Sequence, residues 1–127
     1  MKRALTVLLA VFTGLTALAA GRASLNVYFQ SNLKDTAYQK KTFDRVVRAW
    51  KAPEASQMPE VGRKTVVQSV IAKDGKLVSA VVSMSSGKKG WDAAALAAVK
   101  SAAPFDPLPG NFGASTIEVH FHVSVVP

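Results

Sequence analysis

The sequence predicts an α+β fold: a three-stranded antiparallel sheet with two helices on one face, in the order helix, strand, strand, helix, strand. Three observations predict it. Two stretches carry apolar residues at helical spacing; three others are rich in β-branched residues or alternate strictly; and no cysteine is present to staple an irregular fold. At 127 residues the chain has room for one domain with a single modest core, held by packing alone.

The chain opens as an exported protein does. Lys2 and Arg3 precede an apolar run from Ala4 to Leu18, and the small triplet Ala17-Leu18-Ala19 closes it, the build of a signal peptide over residues 1–20. The run is about fifteen residues, short of the roughly twenty that a spanning helix needs, and Thr6, Thr13, Gly14 and Thr16 dilute it. The expected location is therefore the periplasm, with cleavage after Ala19 or Ala20 and an inner-membrane anchor as the alternative. Without Lys2 and Arg3, 14 of the 16 basic side chains remain against 8 acidic ones, a net charge of +6. Export turns that basic balance away from nucleic acid and towards anionic envelope components. Residues 21–32 are expected to be a short flexible segment before a domain spanning 33–127. Within them Leu25 to Ser31 reads LNVYFQS, close to the ENLYFQ-S site of a tag-removal protease, with the leading Glu absent and Val27 in place of Leu. The match is read as coincidence, and no function is drawn from it.

From Leu33 to Lys51 the pattern is helical: Phe43, Val46, Val47 and Trp50 form one apolar stripe, with Lys34, Lys41, Arg45 and Arg48 opposite. Asn32 or Asp35 caps its start and Pro53 stops it. Glu54 to Gly62 is a connector. Thr65 to Ile71 (TVVQSVI) and Leu77 to Met84 (LVSAVVSM) are strands joined by an Asp74-Gly75 turn, a hairpin whose first strand is expected to be central. Ser85-Ser86-Gly87 breaks the pattern. A helix from Asp92 to Ala103 is almost all alanine and is expected to be buried nearly all round. After the proline-rich loop, Thr116 to Val126 alternates Ile117, Val119, Phe121, Val123 and Val125 with Glu118, His120, His122 and Ser124, a half-buried strand that should pair on the hairpin's free side. Ser69, Ser79 and Ser83 leave the inward set of the hairpin open.

Several of these features recur together: Trp50 and Pro53 ending the first helix; the Asp74-Gly75 turn followed by Ser85-Ser86-Gly87; the Asp92-led alanine helix; Pro104-Phe105-Asp106-Pro107-Leu108-Pro109; and a last strand with Ile117, Val119 and Phe121. In that order, from about Phe43 to Val125, the chain resembles the C-terminal domain of the TonB/TolA superfamily of envelope proteins. The resemblance implies an envelope protein-binding module that engages short partner segments by strand pairing, with a possible link to energy-dependent outer-membrane transport. Force-transmitting members carry an anchor and a long rod or Pro-rich segment. Here residues 21–32, fully extended, reach only roughly 40 Å, so a stand-alone periplasmic module is expected rather than a full energy transducer.

No constellation supports catalysis, and neither a cofactor nor a metal is expected. His120 and His122 share one strand face, but two ligands with only Glu118 nearby fall short of a metal site. Ser85-Ser86-Gly87 lacks the nucleophile-elbow form, because Ser83 stands where a glycine should. Lys88, Lys89 and Gly90 read as a solvated loop more than an anion site. Trp50 is expected to lie between the first helix and the sheet, and Trp91 in or at the core. The partner-binding expectation rests on Thr116, Glu118, His120, His122 and Ser124, taken as an edge strand without the Lys or Pro that guard exposed edges. The partner is a segment of an envelope or outer-membrane protein, or a second copy in a homodimer. The alternative is contact with anionic lipid or cell wall through Lys34, Lys41, Arg45 and Arg48.

Overall fold

A computed structural model describes residues 21–127, with the backbone of 5–6 and 10–12. The expected signal peptide falls on residues 1–20 and, apart from those five, lies outside the described residues. The elements are β1 (Leu5–Thr6), β2 (Ala10–Phe12), β3 (Arg22–Phe29), α1 (Thr36–Ala49), a short 3-10 turn (Ala55–Gln57), β4 (Lys64–Ala72), β5 (Leu77–Met84), α2 (Lys89–Ala102) and β6 (Thr116–Val126). The four long strands form an antiparallel sheet in the order β3-β6-β4-β5, and β1 and β2 pair antiparallel on the far side of β3. Among the described residues, no helix is long and apolar enough to cross a membrane.

The α+β class and both helices are as expected, but the three-stranded sheet and its helix-first order are corrected. The domain begins with a strand. Residues 22–29, expected to be flexible, alternate Ala23, Leu25, Val27 and Phe29 into the core, each no more than 1% exposed. Burying a side chain the size of Leu, Val or Phe stabilises by about 1.5–3 kcal/mol, so this segment is held as firmly as any strand. Leu25 to Phe29 of the LNVYFQS stretch are thus part of the sheet itself.

That added strand changes the place of β6. It pairs with β3 on one side, from Arg22↔Val126 to Phe29↔Val119, and with β4 on the other, from Lys64↔Ser124 to Ala72↔Thr116. Its backbone groups are engaged on both sides, so it is an inner strand and not the edge. β4 lies between β6 and β5, so the hairpin's first strand is interior as expected. Because neighbours are antiparallel throughout, β3 runs parallel to β4 across β6, and β5 runs parallel to β6 across β4. Two β-α-β units are thereby interleaved, which puts α1 and α2 over one face.

Both helices close the same core. Asp35 caps α1, its carboxylate accepting the Tyr38 N–H at 2.9 Å, and Phe43 and Val46 are buried. α2 is not buried all round: Trp91, Ala95, Ala98, Val99 and Ala102 are inside, while Ala93 and Ala97 face solvent. Alanine is the best helix former and loses little when exposed, so its run concealed which side faces in. Trp50 is also corrected. It is the half-buried C-cap of α1, and its ring meets Trp91 edge-on at 4.9 Å between centroids. Trp91 is the tryptophan at the centre, fully buried, its indole N–H donating to the Val123 carbonyl at 3.2 Å. Ser69 points into the core yet is satisfied, its hydroxyl donating to the Val119 carbonyl at 2.7 Å.

Candidate interaction edge

With β6 enclosed, the sheet ends at β5, which among the described residues pairs with β4 alone. The register sets its two faces. Val82, Ala80 and Leu77 stand opposite Val67, Ser69 and Ile71 on the helix side, and Met84, Val81 and Ser79 stand opposite Val66, Gln68 and Val70 on the open side. The sequence LVSAVVSM is apolar on both sides, but helices cover only one. As a result Val78, Val81 and Met84 are 57%, 56% and 51% exposed, three of the four large apolar side chains exposed among the described residues. β5 contains no charge and no proline. Sequence reasoning missed these three residues, although a strand apolar on both faces in a sheet covered on one was a signal that could have found them.

The edge is clamped at both ends. At its start Gly75 adopts φ +93°, and a Cβ there would lie 2.0 Å from the Phe105 carbonyl oxygen. The close approach lets Phe105 N–H donate to the Gly75 carbonyl and Leu108 N–H to that of Lys73, each at 2.9 Å. The Pro104–Pro109 loop is therefore a brace for the hairpin turn, with Phe105 and Leu108 buried beneath it. Asp106 in that loop ties it to α1 through Arg45 at 2.7 Å and Lys41 at 3.6 Å, and the Arg45 bond holds its carboxyl below the usual aspartate range.

At the other end Asp92 gathers the Ser85-Ser86-Gly87 turn. Its carboxylate accepts from the Thr65 hydroxyl at 2.5 Å, the Ser86 N–H at 2.9 Å, the Ser86 hydroxyl at 2.8 Å and the Ser85 hydroxyl. Burial works to raise the Asp92 pKa, but the bonds from Ser85, Thr65 and Ser86 outweigh it and keep the group below its ordinary value. The serines and the leading Asp of α2 are thus one structural knot. At the start of α2, Gly90 N–H is taken by the Gln57 side-chain oxygen at 2.8 Å, and Lys88 and Lys89 point to solvent.

The residues expected to bind a partner from β6 line the open face instead. Glu118 pairs with His120 at 2.5 Å and accepts from Gln68 at 3.2 Å. His122 lies 4.5 Å from the Tyr28 ring and is half-buried, and burial, Lys64 and His120 together push its pKa down to about 4. Thr116 and Ser124 sit at opposite ends of the strand, both paired to β4. Among the described residues no three His, Cys, Asp or Glu side chains gather as a metal site would need. The expected basic stripe is divided: Lys41 and Arg45 are turned to Asp106, Arg48 is exposed on α1, and Lys34 is exposed ahead of the helix cap.

Residues 35–123, well over half of the chain, match the protein-family model described as TonB C terminal. No curated protein and no solved structure matches the chain.

Proposed function

The chain belongs to the TonB C-terminal family, and from that premise we propose that it is a periplasmic interaction module, not an enzyme, which receives an extended segment of an envelope or outer-membrane protein by strand addition. The observation that carries this reading is the outer side of β5, unpaired among the described residues: an eight-residue strand free of charge and proline presents a row of backbone donors and acceptors that an added strand can satisfy. A link to energy-dependent outer-membrane transport follows from family membership and is part of the same proposal. Binding of anionic envelope material through α1 is the weaker reading, because Asp106 already engages Lys41 and Arg45.

A photo-cross-linking residue placed in living cells at each of several exposed positions tests the proposal, with Val81 and Ser79 on the edge and Lys40 and Arg48 on α1. Strand addition predicts products with an envelope protein, joined through a short segment that mass spectrometry maps. It also predicts that they still form when envelope extract is irradiated at about 1 M ionic strength, where screening length falls to roughly 3 Å. Products from the α1 positions alone, which no longer form at high salt, would overturn it in favour of the basic face.

A further inference from the structure

Independently of what β5 receives, we propose that the chain's own N-terminal segment keeps the outer side of β3 closed, and that removing residues 1–20 opens that side as a second pairing edge, which a second copy of this chain fills. The two outermost long strands differ. β5 has no buried residue, as befits an edge. On β3, by contrast, Ala23, Ser24, Leu25, Val27 and Phe29 are each no more than 1% exposed. Four of these point into the core. Ser24 does not: by alternation it faces the open side of the sheet, which no helix covers, yet its hydroxyl is buried with no hydrogen-bond partner among the described residues. On the outer side its register partner is Val11 of β2.

The backbone of β3 shows what that cover satisfies. Gln30 N–H donates to the Glu118 carbonyl at 3.0 Å, so alternation turns the N–H and C=O groups of Arg22, Ser24, Asn26 and Tyr28 towards β6. Those of Ala23, Leu25, Val27 and Phe29 turn outward. Phe12 stands opposite Ala23, Ala10 opposite Leu25 and Leu5 opposite Phe29, so β1 and β2 meet three of these four residues. All of β1 and β2 lies within the expected signal peptide. Cutting after Ala19 or Ala20 therefore takes the cover away and leaves a full row of donors and acceptors in water.

The uncovered strand has few guards. It contains no Lys and no Pro, and its one charge is Arg22, whose guanidinium donates to the Pro127 carbonyl at 2.7 Å. Two copies of β3 paired antiparallel around a twofold axis at Asn26 set Ala23 against Phe29 and Leu25 against Val27, joining the outward-pointing groups of both. Arg22 then falls opposite Gln30 of the second copy, so no like charges meet in the new ladder. On the open face Ser24 falls opposite Tyr28 of the second copy, beside the central pair of Asn26 side chains.

The test compares two forms of the protein: the full chain, synthesised without membranes so that it stays uncut, and the product recovered from the periplasm of exporting cells, with its first residue read by mass spectrometry. Amide exchange at Ala23, Leu25 and Phe29 is expected to be about a hundredfold slower in the full chain than in the dilute processed form. Ala10→Pro combined with Phe12→Pro, which removes two donors facing β3, should raise exchange in the full chain to the processed level. The processed form should dimerise with concentration in sedimentation, slowing the same three amides while those of Leu77–Met84 keep their rates. Asn26→Lys, at a half-buried position on the open face, sets two like charges together at the axis and should abolish the dimer; an unchanged circular dichroism spectrum separates that from unfolding.

Equal exchange in the two forms, or a double-proline variant as protected as the full chain, would overturn the cover. A processed form that stays monomeric, or that dimerises through β5 or regardless of Asn26→Lys, would overturn the second copy as its occupant. Recovery from cells of the protein with residues 1–20 intact would overturn the opening step. None of these results bears on the cross-links at β5, which test strand addition separately.

Discussion

Replacing Asp92 tests whether the knot at the end of β5 is structural. Asp92→Ala removes the acceptor for Thr65, which is fully buried, and for Ser86, which is 2% exposed. The Ser86 hydroxyl keeps a contact with the Lys88 carbonyl at 3.3 Å, so the main losses are the Thr65 hydroxyl and the Ser86 N–H. Two buried donors left without partners cost about 1–3 kcal/mol each, or roughly 4 kcal/mol together. At about 4–8 °C per kcal/mol for a domain near this size, the melting temperature should fall by about 15–30 °C. Asp92→Asn keeps one acceptor oxygen and loses the charge, so its fall should be roughly a third to a half of that. The sign with pH follows from the lowered pKa: the contribution of the carboxylate is complete above its ordinary value of 3.8 and disappears as pH drops through the lower folded value. Thermal melts by circular dichroism at neutral pH and below pH 4 measure both effects. Variants melting within about 4 °C of the wild type, or an Asn variant as unstable as the Ala variant, would refute the argument.

Three further outcomes follow from the packing. Gly75→Ala should cost roughly 2–4 kcal/mol in urea denaturation, because it combines positive φ with displacement of the Phe105 backbone, whereas Gly87→Ala, at φ +95° beside only the Arg63 guanidinium, should cost about 1–2 kcal/mol. Trp91→Ala should cost roughly 3–5 kcal/mol and Trp50→Ala clearly less, since the first empties the centre and the second its rim; equal losses in chemical melts would show that the two rings were ranked wrongly. His122, neutral in the fold with a pKa of about 4 against an ordinary 6.5, should favour the folded state fully above pH 6.5 and progressively less as pH falls towards 4, so His122→Gln should flatten the stability profile in that window and nowhere else.

Where the sequence carried a strong local signal, the structure agrees. The Phe43 stripe, the Asp74-Gly75 turn, both hairpin strands and the alternation from Thr116 to Val126 are readable because each depends on residues close together in the chain. Two misreadings have physical causes. β3 begins Arg-Ala-Ser-Leu-Asn, mostly weak strand formers, so its period-2 pattern gives only a faint local strand signal. The helix expected from Asp92 starts at Lys89, so Asp92 is in its first turn, and its side chain reaches back to Ser85, Ser86 and Thr65.

The error about β6 is instructive for the site itself. An unguarded strand without Lys or Pro invites a partner only where one of its sides is unpaired, and β6 is paired on both. Whether a strand is an edge depends on which distant segment pairs with it, and no local pattern near residue 116 announces that residues 22–29 will. The side of β6 expected to receive a partner is filled by β3 of the same chain, residue for residue from Arg22 to Phe29. Once that side is filled from within, the same criterion selects β5: it too lacks Lys and Pro, it ends the sheet, and unlike β6 it leaves its large apolar side chains in water. The braces at Gly75 and Asp92 strengthen the case. A strand that gained nothing from being held straight would not need its turn locked by a proline-rich loop and its far end tied by four bonds to one carboxylate. On the strand-addition proposal, holding β5 extended in advance would reduce the conformational entropy lost on pairing, and the proline-rich loop and the Asp92 knot would then act on binding as well as on stability.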